Sequence, residues 1–166
     1  LADGEDKAKE WAEGVVANMA RNPKGSDRDQ VKAVASGEGD IAVVNTYYIG
    51  LMLNDENVEE RKAGESVGII FPNQNGRGTH INISGIGVTK YAPNKENAIK
   101  LIEFLSGKEA QQTLANLNYE YPINPEANKA SILKTWGDFK ADSVELYKLG
   151  EYNSSAVKIF DEVGWK

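Results

Sequence analysis

The chain has no cysteine and one histidine among its 166 residues. The missing cysteine excludes disulfides, thiolate metal sites and thiol nucleophiles within it. It assigns no compartment, since many disulfide-free proteins are exported. With His80 as the sole imidazole, zinc and copper centres are poorly served. Long apolar runs are also missing. The longest span about five residues, far from the ~18 that cross a bilayer, and no signal-peptide pattern is present. A basic excess is lacking too. The 25 acidic and 19 basic residues leave a net charge of −6, which argues against nucleic acid and against an anionic membrane surface. No GxSxG occurs, and the glycine-bearing loop Asn73–Gly78 lacks the GxxxxGK[ST] pattern of a phosphate loop. No acid/base or nucleophile constellation stands out. The chain opens on Leu1-Ala2-Asp3 rather than methionine, as expected of a processed or truncated piece of a longer protein. An expression boundary reads the same way.

What is present is a core-forming apolar fraction of 40% spread along the chain, enough for one domain or two small lobes. Apolar residues recur at helical spacing over Asp6–Ala20, after Ser26, over about Thr46–Leu53, after Pro93, over Lys108–Asn116, near Ile132–Trp136, over Ser143–Leu149 and from Ser154 or Ser155 to Val163. One helical turn is expected at Val58–Arg61. Buried stripes are expected at Ala98, Ile99, Leu101, Ile102 and Leu105, and at Ala110, Leu114 and Leu117. Strands are expected at Ile41–Val44, Val67–Phe71 and His80–Ser84, the last continuing extended to Thr89, with a short extended piece at Tyr119–Ile123. Helix, glycine turn, buried strand, new helix is the order of a doubly wound α/β unit.

The stretch that organises this pattern is Gly39–Gly50. Its apolar run Ile41–Val44 gives way to Asn45-Thr46 and then to Tyr47 and Tyr48. Open α/β sheets place ligands just beyond the carboxyl ends of their strands. Two readings of the tyrosines stand side by side. Adjacent residues point in different directions, so one can pack in the core and the other lie on the surface. Alternatively, both lean into one cleft and ligate a hard cation. Phenolate is a hard anionic donor, and a phenol of pKa ~10 ionises at neutral pH only beside a strong positive charge, which Fe(III) supplies.

Asn45-Thr46-Tyr47-Tyr48, preceded by Gly37–Val43, resembles the ligand stretch of bacterial periplasmic ferric-iron-binding proteins, the transferrin-like receptors of ABC iron importers. The likeness extends to Arg21–Gln30, to Gly78–Gly85, to Glu103–Gln111 and to Glu120–Pro125. The resemblance implies an α/β, type II periplasmic binding protein-like fold, here its carboxy-terminal half. Residues 1–77 then belong to the carboxy-terminal lobe, 78–128 to the amino-terminal lobe after the hinge crossing, and 129–166 return to the first lobe. It implies Tyr47 and Tyr48 as iron ligands, and Asn45 as a contact of a synergistic anion such as phosphate or carbonate in members that use one. The expected cargo is Fe(III). The expected partners are an inner-membrane ABC permease and the missing amino-terminal half, which holds the other ligands. A periplasmic or lipid-anchored location follows, with no enzymatic activity.

Other candidates have plainer explanations. His80 alternates with its neighbours and reads as structural, and the resemblance gives it no ligand role. Arg21 and Arg77 suit an anion but equally a solvated loop. Asp27 and Asp29 sit at a helix start, where capping and the helix dipole account for them. Asn82-Ile83-Ser84 and Asn153-Ser154-Ser155 match a glycosylation pattern too short to carry weight. A receptor for an organic or oxyanion solute, an enzyme of the same fold, and a fragment that binds nothing remain open from the residues alone.

Overall fold

The computed structural model describes residues 1–165. They form two compact units. One comprises Leu1–Ser26 and Asp142 onward, the other Asp27–Ala141.

The first unit pairs α1 (Glu5–Ala17) with α8 (Leu146–Val163). Ala12 of α1 and Ile159 of α8 are buried. Lys9 reaches Glu162 at 2.7 Å, and Trp165 lies 5.9 Å from Trp11 and 4.8 Å from Phe160. The two helices expected at 143–149 and 154–163 are one continuous helix. Gly150 in its second turn costs about 1 kcal/mol relative to alanine but keeps its backbone N–H and C=O, so the helix runs through. α1 ends three residues before the expected Ala20, where the Asn18 amide bonds the Gly14 carbonyl.

The larger unit holds α2 (Asp27–Ala35), α3 (Thr46–Leu53), α4 (Val58–Glu65), α5 (Lys95–Ser106), α6 (Lys108–Asn118) and α7 (Ser131–Thr135). Its core is Val31, Ile49 and Met52, packed by Val44, Leu53, Ala63, Val67, Ile69 and Trp136. α4 is twice the expected turn because Asn57 caps it, accepting from the Glu59 amide at 2.9 Å. Between α2 and α4, Arg28 grips Asp55 at 2.7 Å and Glu60 at 3.5 Å, and Lys32 also pairs with Glu60. α3 carries no charged residue. A side chain at its Gly50 is impossible as packed, because a Cβ there falls 2.5 Å from the Tyr119 Cβ. Tyr119 itself turns left-handed, φ 55°, to end α6.

The expected strands form no ladder. Among the described residues the sole β-bridge joins Thr79 to Ala141, in parallel. Gly78 makes that approach possible: its φ is +100°, and a Cβ would meet the Ala141 carbonyl at 2.7 Å. Gln74 fastens the same place, donating to Thr79 Oγ1 and accepting from the Lys140 amide. Segments 41–44 and 67–71 are extended with alternating exposure, not buried on both faces. Ile41 is 78% exposed, Val43 92% and Ile70 73%. A strand requires a partner to satisfy its amides, and these segments find none among the described residues. The apolar stripes of α5 and α6 are only partly covered: Ala98, Ile102 and Leu105 are half-buried. Ile99, Leu101, Leu114 and Leu117 are exposed, and only Ala110 and Ala115 of these helices are buried.

Candidate metal centre

The first turn of α3 carries the site. Asn45 stands at its N-cap position in extended backbone, φ −75° and ψ 134°, and its carbonyl accepts from the Tyr48 amide at 3.2 Å. Its side chain does not cap the helix. Asp27 Oδ2 instead accepts from both the Asn45 backbone N–H and its Nδ2, each at 3.0 Å. Asn82 Nδ2 in turn donates to Asn45 Oδ1 at 3.1 Å. The start of α3 is thus held from two sides, by the first residue of α2 and by the extended segment after His80.

Held this way, Tyr47 and Tyr48 converge. Both are half-buried, so the division into one core and one surface tyrosine is not what forms. Their ring centroids lie 4.4 Å apart with planes 35° from parallel. The neighbouring Tyr48 hydroxyl is the largest reason the Tyr47 phenol is pushed up to about 12. Partial burial, the charge of Tyr48 and the carboxylates Asp27 and Glu120 push the same way. Tyr47 therefore keeps its proton at neutral pH until a strong positive charge arrives. Two phenols on one helical turn with their rings packed together form a hard donor pair for one ion, which would displace their protons. Among the described residues no cluster of three His, Asp or Glu side chains could hold a metal.

Two residues near the pair escaped the sequence reading. Asp27 was explained by its helix start, yet its carboxylate serves Asn45, 18 residues away. Glu120 follows Tyr119, which packs against Gly50 of α3. Its Oε1 accepts from Ser84 Oγ at 2.9 Å and from Asn118 Nδ2 at 2.8 Å. Neither role has a local signal, since each depends on chain segments meeting in space. His80 and Arg77 are exposed. Arg21 lies in the other unit, where its guanidinium donates to the Asn22 carbonyl.

Comparison with known proteins places these features. Iron uptake protein A1 of a Synechocystis strain is 48% identical over all of this chain, which covers 46% of that protein. The major ferric iron-binding protein of Neisseria meningitidis serogroup A is 28% identical over 98% of the chain, covering 47% of its length. Among solved structures, a ferric binding protein from Campylobacter jejuni superposes with a TM-score of 0.92 at 49% identity, over 97% of this chain and 51% of that one. The Trichodesmium protein (IdiA, FutA) in complex with iron and citrate ligands does so at 0.94 and 48% identity, over 98% and 52%. The chain therefore spans about half the length of these relatives and has the fold of that part of them. Residues 2–142 match the family model described as bacterial extracellular solute-binding protein, and the chain belongs to that family.

Proposed function

We propose that this chain is part of a solute-binding protein for ferric iron, that Tyr47 and Tyr48 are two of its metal ligands, and that the loaded protein delivers iron to an ABC-type importer. The observation that carries this is the packed tyrosine pair on the first turn of α3, in a chain whose relatives bear iron-uptake or ferric-binding names. The reading is binding and transport, not catalysis, in the periplasm or at a lipid anchor outside the cytoplasm. The part of the relatives' length not covered here supplies the remaining ligands. Chain segments 1–77 and 129–166 make one lobe and 78–128 part of the other, and the two close on the ion by hinge motion.

The mechanism follows from charge. Fe(III) displaces the protons of Tyr47 and Tyr48, and the two phenolates offset two of its three charges. Because protons leave as iron enters, affinity rises with pH and falls as protons compete for the ligands. Asn45 is the contact for an accompanying anion, a role that the citrate beside iron in the Trichodesmium relative supports. Such an anion competes with Asp27 for the Asn45 donors.

Tyr47→Phe and Tyr48→Phe, each in the full-length protein, test the assignment. Each is expected to remove or strongly shift the visible phenolate-to-iron charge-transfer band and to weaken iron binding. Wild-type colour and affinity in both variants rule out the two tyrosines as ligands.

A further inference from the structure

The site residues leave two carboxylates without an assigned purpose. Asp27 is tied to Asn45, two residues before Tyr47. Glu120 is tied to Ser84 and Asn118, beside the Tyr119 that packs on Gly50 of α3. Both are partly buried, and both are bonded into the segments that hold the first turn of α3, Asp27 through Asn45 and Glu120 through Ser84, two residues after the Asn82 that donates to Asn45. In each case a single carboxylate oxygen accepts both hydrogen bonds: Oδ2 of Asp27 and Oε1 of Glu120. An amide oxygen could accept the same two bonds. The negative charge is therefore not needed to hold the local structure, and a negative charge in a partly buried place is costly to keep.

We propose that Asp27 and Glu120 are charge-selectivity residues of the tyrosine site: without ligating the ion, they favour a trivalent over a divalent one. This rests on the reading of Tyr47 and Tyr48 as ligands. The argument is independent of how many phenols complete the site. If n phenols lose protons, a trivalent ion changes the site's charge by 3 − n and a divalent ion by 2 − n. The difference is always one positive unit. A fixed carboxylate nearby stabilises that extra unit, so it raises the ratio of Fe(III) to Fe(II) affinity whatever it does to either affinity alone. At the effective dielectric of a protein surface, one charge several ångströms away shifts the ratio on the order of tenfold, less at high salt.

Asp27→Asn and Glu120→Gln keep the hydrogen-bond acceptors and remove only the charge. The reduction potential of iron bound to the full-length protein reads the affinity ratio directly, and spectroelectrochemistry on the charge-transfer band measures it. Each variant is expected to lower the ratio about tenfold, raising the potential by about 59 mV, with a smaller rise in high salt. Asp27→Glu, which keeps the charge while moving the acceptor, is expected to stay near the wild-type potential. An unchanged potential in Asp27→Asn and Glu120→Gln overturns the proposal and leaves the tyrosine ligands standing. Asp27→Glu shifting as far as Asp27→Asn also overturns it, because the effect is then one of structure. If wild type shows no charge-transfer band with Fe(III), the ligand reading fails and this proposal falls with it. Should one variant fail to fold, the other reads the same ratio on its own.

Discussion

Tyr121 shows at the level of one residue how a chain can carry a cost it does not need for packing. Its ring meets Phe139 edge-on at 5.2 Å, and Lys129 Nζ lies 5.7 Å from the ring centroid. Its hydroxyl is buried and finds no hydrogen-bond partner among the described residues. A buried polar group left unpaired costs ~1–3 kcal/mol, whereas the ring contacts need no hydroxyl. Tyr121→Phe is therefore expected to stabilise the protein by up to about 1 kcal/mol, measured as a higher urea midpoint at unchanged slope. A loss of stability means the hydroxyl has a partner, such as a bound water. The residues of the candidate site were legible to different depths. Tyr47 and Tyr48 announced themselves because adjacency is a sequence property and the chemistry of two phenols is distinctive. Asp27 and Glu120 did not, because a carboxylate at a helix start or after a helix has an ordinary explanation. Only the fold shows Asp27 reaching across to Asn45.

Elements were legible where the chain itself satisfies them. Helices satisfy their own backbone, so periodicity located the eight found among the described residues to within a few residues, and the main misreading was to divide α8 into two. The expected strands lacked the one thing sequence does not supply, a neighbour. Where elements meet, charge does part of the work, as between α2 and α4. The Asp55 carboxyl is held below its ordinary 3.8, chiefly by the Asn57 backbone N–H and then by the Arg28 guanidinium. A carboxyl lowered in the folded state contributes stability above its ordinary value and loses that contribution as pH falls through the lowered one. Arg28→Ala removes the guanidinium's share. The variant is expected to be less stable than wild type from neutral pH down to about pH 4 to 5, with the gap closing below 3.8 as Asp55 protonates. Urea unfolding of both proteins along a pH series reads this. A gap that stays constant to pH 2.5 means Arg28 acts through packing of its stem.

For the molecule as a whole, the telling feature is how much apolar surface remains outside. Soluble chains scatter single apolar side chains over their surface without consequence, but contiguous patches mark places where something docks. Here the exposed residues are consecutive members of extended segments and of two helix stripes: Ile41 and Val43, Ile70, Ile83 and Ile86, Ile99 and Leu101 with Phe104, Leu114 and Leu117. All of these except Phe104 carried the strand and stripe expectations, so the sequence pattern and the exposure agree about which faces are meant to be covered. The chain spans about half the length of its relatives. Taken alone, it is expected to enhance the fluorescence of a hydrophobic dye and to self-associate as its concentration rises. Val43→Lys and Ile70→Lys, at sites 92% and 73% exposed, should reduce dye binding while changing the stability of the isolated chain by no more than about 0.5 kcal/mol. In the full-length protein the same two substitutions place a charge in a covered face and should each cost several-fold more. Equal, small effects in both contexts mean these faces stay open in the complete fold, and the extended segments are then free edges awaiting a different partner.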